Sequence, residues 1–276
     1  MPASSAVLAK VINVMYVLSS NAEDVADIIE HDPSLTANIL KVANSAYYGS
    51  YSTISSLKRA VVTLGFETLK EIVYTIGSVN CFQSEGNKHV DGLSGLWLHS
   101  VGTGKVCQSI SKRMNIERPD NAYLVGLLHD IGKILLLIHF PKHFHSVINL
   151  TQEKNTRFIL AEQEVLNTDH TEIGGLLCDI WSLPEVISDA IICHHESDVG
   201  KKCDQELARI VVLGDYLCRT AEIGYPGDSI NIRPTEETMV LLGSNKEEIE
   251  ENYNALLDEL SADKPKIENF FHEIES

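Results

Sequence analysis

Histidines and aspartates recur in this sequence at positions where a helical repeat would turn them toward the protein interior. His129 and Asp130 lie inside the apolar stretch GLLHDIGKILL, which covers residues 126–136. Small or apolar neighbours at helical spacing surround the whole set, which comprises His99, His129, Asp130, His170, His194 or His195, and Asp215. A buried carboxylate or imidazolium costs free energy unless it is paired or binds a metal. The set therefore points to a shared partner.

Imidazoles combined with carboxylates form the donor set that proteins use for Fe, Mn and Zn, with bonds to zinc of about 2.0–2.2 Å. Helical bundles supply such ligands from facing helices. A single histidine on an apolar face is more often a core residue whose ring nitrogen binds a backbone carbonyl. Spacing alone leaves both interpretations open: one metal site, or several separate core histidines.

The elements that would position these residues are helices. Helix signals recur and strand signals are scarce, so we predict an all-α fold, a multi-helix bundle with an N-terminal helical layer. Asp32 and Pro33 would be the cap and first position of a helix whose buried stripe includes Leu35 and Ile39. Further helical patterns cover residues 94–113, 120–138, 157–166, 169–181, 184–195 and 204–221.

Polar and glycine-rich stretches divide the chain into three predicted segments. QSEGNKHVDG, at 83–92, separates an N-terminal helical subdomain (1–85) from a helical core that would bind metal (90–222). EIGYPGDSINIRP then interrupts the helical pattern, and a C-terminal helical extension follows over 230–276. Within the core, Pro141 interrupts the histidine-rich HFPKHFH, which we interpret as a solvated loop or groove edge outside the site.

Composition limits the function classes. The 276 residues are 44% hydrophobic, enough for a sizeable core, and the formal charge of −17 argues against wide contact with nucleic-acid phosphates. Six cysteines without a CxxC pair predict reduced core thiols. The apolar run from Ala6 to Leu18 is interrupted by Lys10 and Asn13 and is too short to span a bilayer. We expect a soluble cytoplasmic protein that binds neither nucleic acid nor membrane.

Two groups of motifs resemble known families. His99, the HDIGK stretch at 129–133, His170, HHE at 194–196 and Asp215 follow the ligand order of the HD phosphohydrolase superfamily, and most of all its di-metal HD-GYP members. DPSLTANILKVANSAYYG at 32–49 and ISSLKRAVVTLG at 54–65 closely match the HDOD family, the HD-related output domains of bacterial signalling proteins. This resemblance extends over roughly residues 5–260 and implies an HD-like helical bundle.

The resemblance also implies a metal site with two divalent ions, Fe or Mn being favoured and Zn also compatible. The ligands of one ion would be His99, His129, Asp130 and Asp215. Asp130 would bridge to the second ion, whose other ligands would be His170, His194 and His195. Lys133 would meet a substrate phosphate or a bridging water. Many HDOD members have lost such ligands, whereas this sequence keeps them.

The sequence departs from the hydrolase pattern in two places. The stretch after HHE lacks the glycine-rich GYP loop of the HD-GYP enzymes. The tripeptide Gly224-Tyr225-Pro226 lies beyond Asp215, and we interpret it as a coincidental turn. Gly95 stands one helical turn before His99, where some of those enzymes place a glutamate ligand, so a third metal is not expected.

Two functions remain open at this stage. The HDOD resemblance and the missing GYP loop favour a bacterial signal-transduction output module that retains its metal site without robust turnover. Such a module would work with signalling protein partners or a fused regulatory domain. The complete ligand order favours the alternative, a metal-dependent phosphohydrolase or phosphodiesterase acting on a nucleotide or cyclic dinucleotide. In that case Lys133 and Asp130 would be catalytic, and a small phosphorylated ligand would bind beside them.

Overall fold

The computed structural model describes residues 9–14, 25, 28–29, 33–45, 48, 54–82, 90–116, 119–195 and 205–275. Across these ranges the regular structure is helical and no strand occurs, which confirms the all-α prediction. The predicted cap Asp32 lies outside the described residues. Pro33 begins a helix as predicted, and Leu35 and Ile39 on that helix are buried.

We number the helices in chain order. The N-terminal group consists of α1 (Pro33–Ala43), α2 (Leu57–Leu64) and α3 (Phe66–Phe82). The central group consists of α4 (Leu93–Arg113), α5 (Pro119–Leu128), α6 (Ile131–His139), α7 (Pro141–Lys154), α8 (Phe158–Leu166), α9 (His170–Ile180), α10 (Glu185–Ile192) and α11 (Gln205–Thr220). The C-terminal group consists of α12 (Glu236–Met239), a 3-10 turn (Val240–Leu242) and α13 (Lys246–Glu275).

The end of α1 is held by one side chain of the family motif DPSLTANILKVANSAYYG. Asn44 donates from its amide to the carbonyls of Leu40 at 2.7 Å and Ile54 at 2.8 Å, and its oxygen accepts from the Ile54 N–H at 2.7 Å. These bonds satisfy a carbonyl at the helix end and draw the start of the next helical segment against α1. Because Ala43 and Ser45 on either side of Asn44 are buried, this part of the motif serves packing and loop closure.

The central group is built around α4, which packs against α5, α11 and α13. The predicted helix over 120–138 is instead two helices, α5 and α6, separated by a turn at His129 and Asp130. On α6, a Cβ built at Gly132 would lie 2.1 Å from the carbonyl oxygen of His170 at the start of α9. Only glycine fits such a close approach, and the crossing of α6 and α9 brings the turn next to His170.

The prediction of a loop at HFPKHFH is wrong. Pro141 is the first residue of α7, a position where its missing N–H and fixed φ are tolerated. Phe144, Val147 and Thr151 form the buried stripe of this helix. His143 and His145 are exposed on its other face, away from the candidate site, as the sequence indicated.

Buried residues from all three predicted segments form one hydrophobic cluster, to which Val73, Trp97 and Phe270 each contribute. The segment boundaries themselves stay a prediction. Within the described part of the chain, Asn121–His139 is long and apolar enough to cross a membrane by composition alone. However, 83% of that window is buried inside the protein, as in a core segment.

Four cysteines are free and buried, in agreement with the predicted core thiols: Cys81, Cys107, Cys178 and Cys218. Burial raises the pKa of the Cys178 and Cys218 thiols to about 12, so both stay protonated at neutral pH. Cys193 is disulfide-bonded, and the prediction of reduced thiols is therefore wrong at this residue.

Candidate metal centre

The turn between α5 and α6 places His129 and Asp130 in the interior, where each is about 1% exposed. His129 donates from Nδ1 to the carbonyl of Gly126 at 2.7 Å. A carbonyl can only accept, so a neutral His129 ring carries its proton on Nδ1 and leaves Nε2 as a bare lone pair. That Nε2 and Asp130 Oδ1 have no hydrogen-bond partner within the described structure. Asp130 Oδ1 is therefore free to bind a cation, whereas His129 Nε2 also faces Asp130 Oδ2 at 3.4 Å.

His170 is placed by the cap of α9. Asp169 accepts hydrogen bonds from the N–H groups of Thr171 at 3.0 Å and Glu172 at 3.3 Å, which makes His170 the first residue of the helix. The ring Nδ1 of His170 makes a short hydrogen bond with Glu162 Oε2, and the backbone N–H of His170 donates to the same oxygen at 3.2 Å. Both residues are fully buried. This contact turns Nε2 of His170 toward Asp130.

His194 and His195 follow α10 and face His170. His194 donates from Nδ1 to the carbonyl of Ile191 at 2.7 Å, so its Nε2 also carries a lone pair. Nε2 of His170 lies 3.4 Å from Nε2 of His194 and 3.0 Å from Nε2 of His195. It also lies 3.4 Å from Asp130 Oδ1. Donor atoms of Asp130, His194 and His195 thus surround His170 Nε2 at 3.0–3.4 Å.

These separations fit a single metal ion. Ligands bound at about 2.1 Å lie about 3.0 Å apart in an octahedral arrangement and about 3.4 Å apart in a tetrahedral one. Imidazole nitrogens that face one another so closely repel unless a cation or a proton lies between them. The unpartnered Asp130 Oδ1 supplies the negative charge that a divalent ion would balance. The residues present therefore fit a metal of the type that the sequence implied.

His99 and Asp215 lie on the opposite side of His129. His99 Nε2 donates to Asp215 Oδ1 at 2.8 Å, while its Nδ1 is 3.3 Å from the carbonyl of Ile223. Arg219, one helical turn after Asp215 on α11, contacts both carboxylate oxygens at 2.9 and 3.0 Å through Nε. Asp215 retains 18% exposure of its side chain. This side of the cluster is already hydrogen-bonded.

Three sets of residues each have their ligand atoms within 4.8 Å of one another. The sets are His170 with His194 and His195, His99 with His129 and Asp215, and His129 with Asp130 and His194. The structure thus brings together all seven predicted ligands. Their role as ligands stays a prediction, as does the catalytic role of Lys133. Glu196, the third residue of HHE, lies outside the described residues.

Burial controls the charge of the histidines. It lowers the pKa of His194 to about 4 and holds those of His170 and His195 well below their usual range, so these three rings are neutral at neutral pH. Neutral imidazole is the form that binds metal. For His129, burial alone would lower the pKa, but the adjacent Asp130 carboxylate raises it overall.

The carboxyl groups respond in opposite ways. Burial would raise the pKa of Asp130, but His129 and Lys133 hold it well below its usual range. Burial likewise works against ionised Asp215, and Arg219 with His99 keeps the pKa of that carboxyl well below its usual range. Burial raises the pKa of Glu162 to about 9, so in the metal-free cluster this carboxyl is protonated at neutral pH.

Lys133 and the Gly224-Tyr225-Pro226 turn close one wall of the site. Lys133 Nζ donates to Asp130 Oδ2 at 2.8 Å and to the carbonyl of Pro226 at 3.0 Å. Tyr225 N–H donates to the carbonyl of Gly95 at 2.9 Å, and a Cβ at Gly224 would lie 2.3 Å from the backbone nitrogen of His99. The tripeptide is a turn, as predicted, but it packs directly against the site, which its position after Asp215 did not indicate.

A small cavity of about 80 Å³ adjoins the cluster. Its polar lining includes Lys133, His194, His195, Asp215 and Arg219. Pockets for drug-sized ligands have volumes of about 300–1,000 Å³. The described residues therefore leave room here for a group the size of a phosphate or a few waters, and too little for a whole nucleotide.

Sequence reasoning missed two residues of the site, Glu162 and Arg219. Each left a weak signal. Glu162 is a carboxyl that directly follows the apolar run Phe158–Ala161, and it precedes His170 by 8 residues. Arg219 follows Asp215 at a spacing of four, which places the two side chains together on one face of a helix.

Comparisons with known proteins agree with this architecture. The sequence profile of the HDOD domain matches residues 1–197. An uncharacterized protein of Treponema pallidum (strain Nichols) is 25% identical over 173 residues, which are 62% of this chain and 33% of that protein. The match therefore spans about a third of the length of this relative.

Solved structures resemble nearly the whole chain. An HDOD domain protein of unknown function from Geobacter sulfurreducens has a TM-score of 0.77 and 26% identity, over 97% of this chain and 91% of that chain. A candidate signal transduction protein from Marinobacter aquaeolei VT8 has a TM-score of 0.80 and 22% identity, over 98% and 59%. A candidate phosphohydrolase from Shewanella amazonensis SB2B has a TM-score of 0.72 and 23% identity, over 97% and 93%. At these identities the last two show a shared fold alone.

Proposed function

The chain belongs to the HDOD family, and from this premise we propose that it is a bacterial signal-transduction output module that binds divalent metal without robust turnover. The observation that carries the metal proposal is the cluster of three histidine Nε2 atoms next to the unpartnered Asp130 Oδ1, which lies 3.4 Å from His170 Nε2 and 3.8 Å from His194 Nε2. Fe or Mn would suit this donor set, and Zn is also compatible. The ligands would be the seven predicted residues or a subset of them.

The surroundings of the cluster favour binding over turnover. The adjoining cavity of about 80 Å³ is too small for a nucleotide among the described residues. Lys133 is about 1% exposed, and its ammonium group is held by Asp130 and by the carbonyl of Pro226. A lysine so engaged would have to break buried hydrogen bonds before it could stabilise a phosphoryl group.

A bound ion would tie together elements that are far apart in sequence. Asp130 lies between α5 and α6, His170 begins α9, and His194 and His195 follow α10. Metal binding would therefore stabilise one relative placement of these helices, which is how a metal site can control a surface that partners recognise. We propose signalling proteins or a fused regulatory domain as those partners. The cytoplasm is the expected compartment.

Metal binding and thermal unfolding test the proposal. Purified protein loaded with Mn²⁺ or Zn²⁺ should retain metal after desalting, whereas D130N should retain none because it loses the central anionic ligand. An ion at 100 times its dissociation constant should stabilise the wild type by about 2.7 kcal/mol. The same addition should leave D130N unchanged. Wild-type protein that retains no metal and gains no stability would refute the proposal.

One observation favours the alternative, a metal-dependent phosphohydrolase or phosphodiesterase. Lys133, Arg157 and Arg219 line the small cavity, which could receive the phosphate of a small phosphorylated ligand. A bound metal would polarise the phosphoryl oxygens and activate a water. Lys133 and Asp130 would then position the reacting phosphate and the ion. A candidate phosphohydrolase among the related folds is consistent with this chemistry.

Turnover assays distinguish the two functions. Metal-loaded protein would be tested against nucleotides, cyclic dinucleotides and generic phosphodiesters, with D130A as the control. Hydrolysis that is present in the wild type and abolished in D130A would establish the enzyme and overturn the non-enzymatic module. The output-module proposal predicts no hydrolysis across this panel while metal is still bound.

A further inference from the structure

The cluster divides into two halves with different needs for a cation. The Asp130 half is formed by Asp130, His170, His194 and His195, and the Asp215 half is formed by His99, Asp215 and Arg219. In the Asp130 half, the carboxylate Oδ1 has no hydrogen-bond partner and three ring nitrogens face one another. Buried polar atoms in this state are costly. A cation bound in this half would satisfy that buried carboxylate oxygen.

The Asp215 half already contains a cation. Arg219 Nε contacts Asp215 Oδ1 at 2.9 Å and Oδ2 at 3.0 Å, and only 11% of the Arg219 side chain is exposed. An arginine is always charged, and its planar guanidinium matches a carboxylate. Arg219 thus neutralises Asp215, and its Nε–H, shared between the two carboxylate oxygens, competes with a metal for them.

Arg219 is also held from its far side. Nη1 donates to Asp228 Oδ1 at 2.9 Å and to the carbonyl of Ile230 at 3.3 Å. Asp228 is buried and accepts further hydrogen bonds from the N–H groups of Phe158 at 2.8 Å and Ile230 at 2.9 Å. Displacing Arg219 to admit an ion would leave Asp228 without its partner charge in a buried position.

The two halves differ in the tautomer of their histidines as well. In the Asp130 half, His194 holds its Nδ1 proton on a carbonyl at 2.7 Å and presents a bare Nε2. For His99, the 2.8 Å contact of Nε2 with the Asp215 carboxylate is shorter than the 3.3 Å contact of Nδ1 with a carbonyl. A neutral His99 therefore carries its proton on Nε2, where a metal would have to bind.

Lys133 does not block the Asp130 half in the same way. It donates to Asp130 Oδ2 and leaves Oδ1 without a partner, whereas Arg219 contacts both oxygens of Asp215. In addition, Glu162 lies behind His170, and a carboxyl in that place strengthens a histidine as a ligand. The donor set of the Asp130 half thus remains available.

We infer that this protein binds one divalent ion tightly, in the Asp130 half, and that the Arg219 guanidinium takes the place of the second ion of the di-metal pattern. The inference rests on the proposed function, because it requires that the cluster binds metal at all. It differs from the expectation of two ions, which the order of ligand residues in the sequence implied.

The metal content of folded protein tests the inference. Protein is loaded with excess Mn²⁺ or, separately, Zn²⁺, desalted and measured by elemental analysis, with circular dichroism as the folding check. The wild type should retain about one ion per chain, and R219M should retain about two because Asp215 regains its charge and lone pairs. The matched variant R219K keeps a positive charge and should stay at about one ion. D215N should also keep the wild-type content.

The outcomes distinguish metal binding by the cluster from the replacement of the second ion by Arg219. A wild-type content of two ions, or loss of an ion in D215N, would overturn the inference and leave metal binding by the cluster intact. A folded R219M that still retains one ion would overturn the role of Arg219. If R219M does not fold, the metal content of D215N tests the inference instead, because removing the carboxylate of a half that binds no ion leaves the metal content unchanged. A wild type without metal would instead refute the proposed function.

Discussion

Glu162 offers a sharp test of the cluster because it contacts His170 and none of the other predicted ligands through a hydrogen bond. Its Oε2 is bonded to both the ring Nδ1 and the backbone N–H of His170, in a fully buried position. Once a bound ion favours its ionised form, such an outer carboxylate would accept the Nδ1 proton of His170, leave Nε2 for the ion and make that nitrogen more basic. The substitution E162Q keeps the size and one acceptor but removes the acid.

The structure places the expected effect near the upper end of the usual range. Loss of an outer carboxyl lowers metal affinity by about 10–100-fold, which is about 1.4–2.8 kcal/mol. Nε2 of His170 is the central donor, within 3.0–3.4 Å of the donor atoms of His194, His195 and Asp130. A loosened His170 ring would therefore disturb the whole donor set, and we expect a loss of about 100-fold.

Competition with a chromogenic Zn²⁺ chelator at fixed pH measures this affinity. The control is E164Q on the same helix, since Glu164 is exposed and pairs with Lys154 at 2.6 Å, away from the cluster. E164Q should bind Zn²⁺ like the wild type. Equal affinities for E162Q and E164Q, with both proteins folded, would refute the reasoning.

Three further predictions concern stability. G132A should lower the free energy of unfolding by about 1–3 kcal/mol or more, because its Cβ would overlap the carbonyl of His170. It should also lower the metal content. Chemical denaturation and elemental analysis measure the two effects, and a variant with wild-type stability and metal content would contradict the close crossing of α6 and α9. N44A should cost about 1–3 kcal/mol by leaving the amide and carbonyl of Ile54 without their partner, yet a folded N44A should keep its metal. Metal-free protein should lose stability as the pH falls from about 6.5 to about 4, because His194 in the unfolded chain binds a proton across that range while the buried ring, with a pKa of about 4, does not. The free energy of unfolding of H194Q, measured by chemical denaturation, should therefore change less between pH 7 and 5 than that of the wild type.

Much of the fold could be predicted from local signals. The caps and apolar stripes that end or orient a helix involve neighbouring residues, so helices such as α4, α8, α9 and α11 appear within one or two residues of their predicted ranges. The N-terminal motif indicated the family, and the profile match confirms it. The errors at residues 129–130 and 141 arose because local patterns do not reveal a turn stabilised by tertiary contacts, or a proline that begins a helix instead of breaking one.

The site separates what the sequence determined from what tertiary structure decided. Helical spacing was enough to place His99, His170 and Asp215 on interior faces, because the direction of a side chain follows from the helical repeat. Spacing could not tell which atom of each ring would point at which neighbour. That depends on carbonyls and carboxyls contributed by other segments, as with Ile223 beside His99 and Glu162 beside His170.

The same limit applies to charge. The sequence supplied seven metal-ligand types in the expected order, and nothing in that order distinguishes a carboxylate awaiting an ion from one already neutralised. Only packing decided that Asp215 meets Arg219, which Asp228 holds in place, while Asp130 keeps one oxygen without a partner. The physical reason is that electrostatic balance in a buried site is set by distances of a few ångströms between segments far apart in the chain.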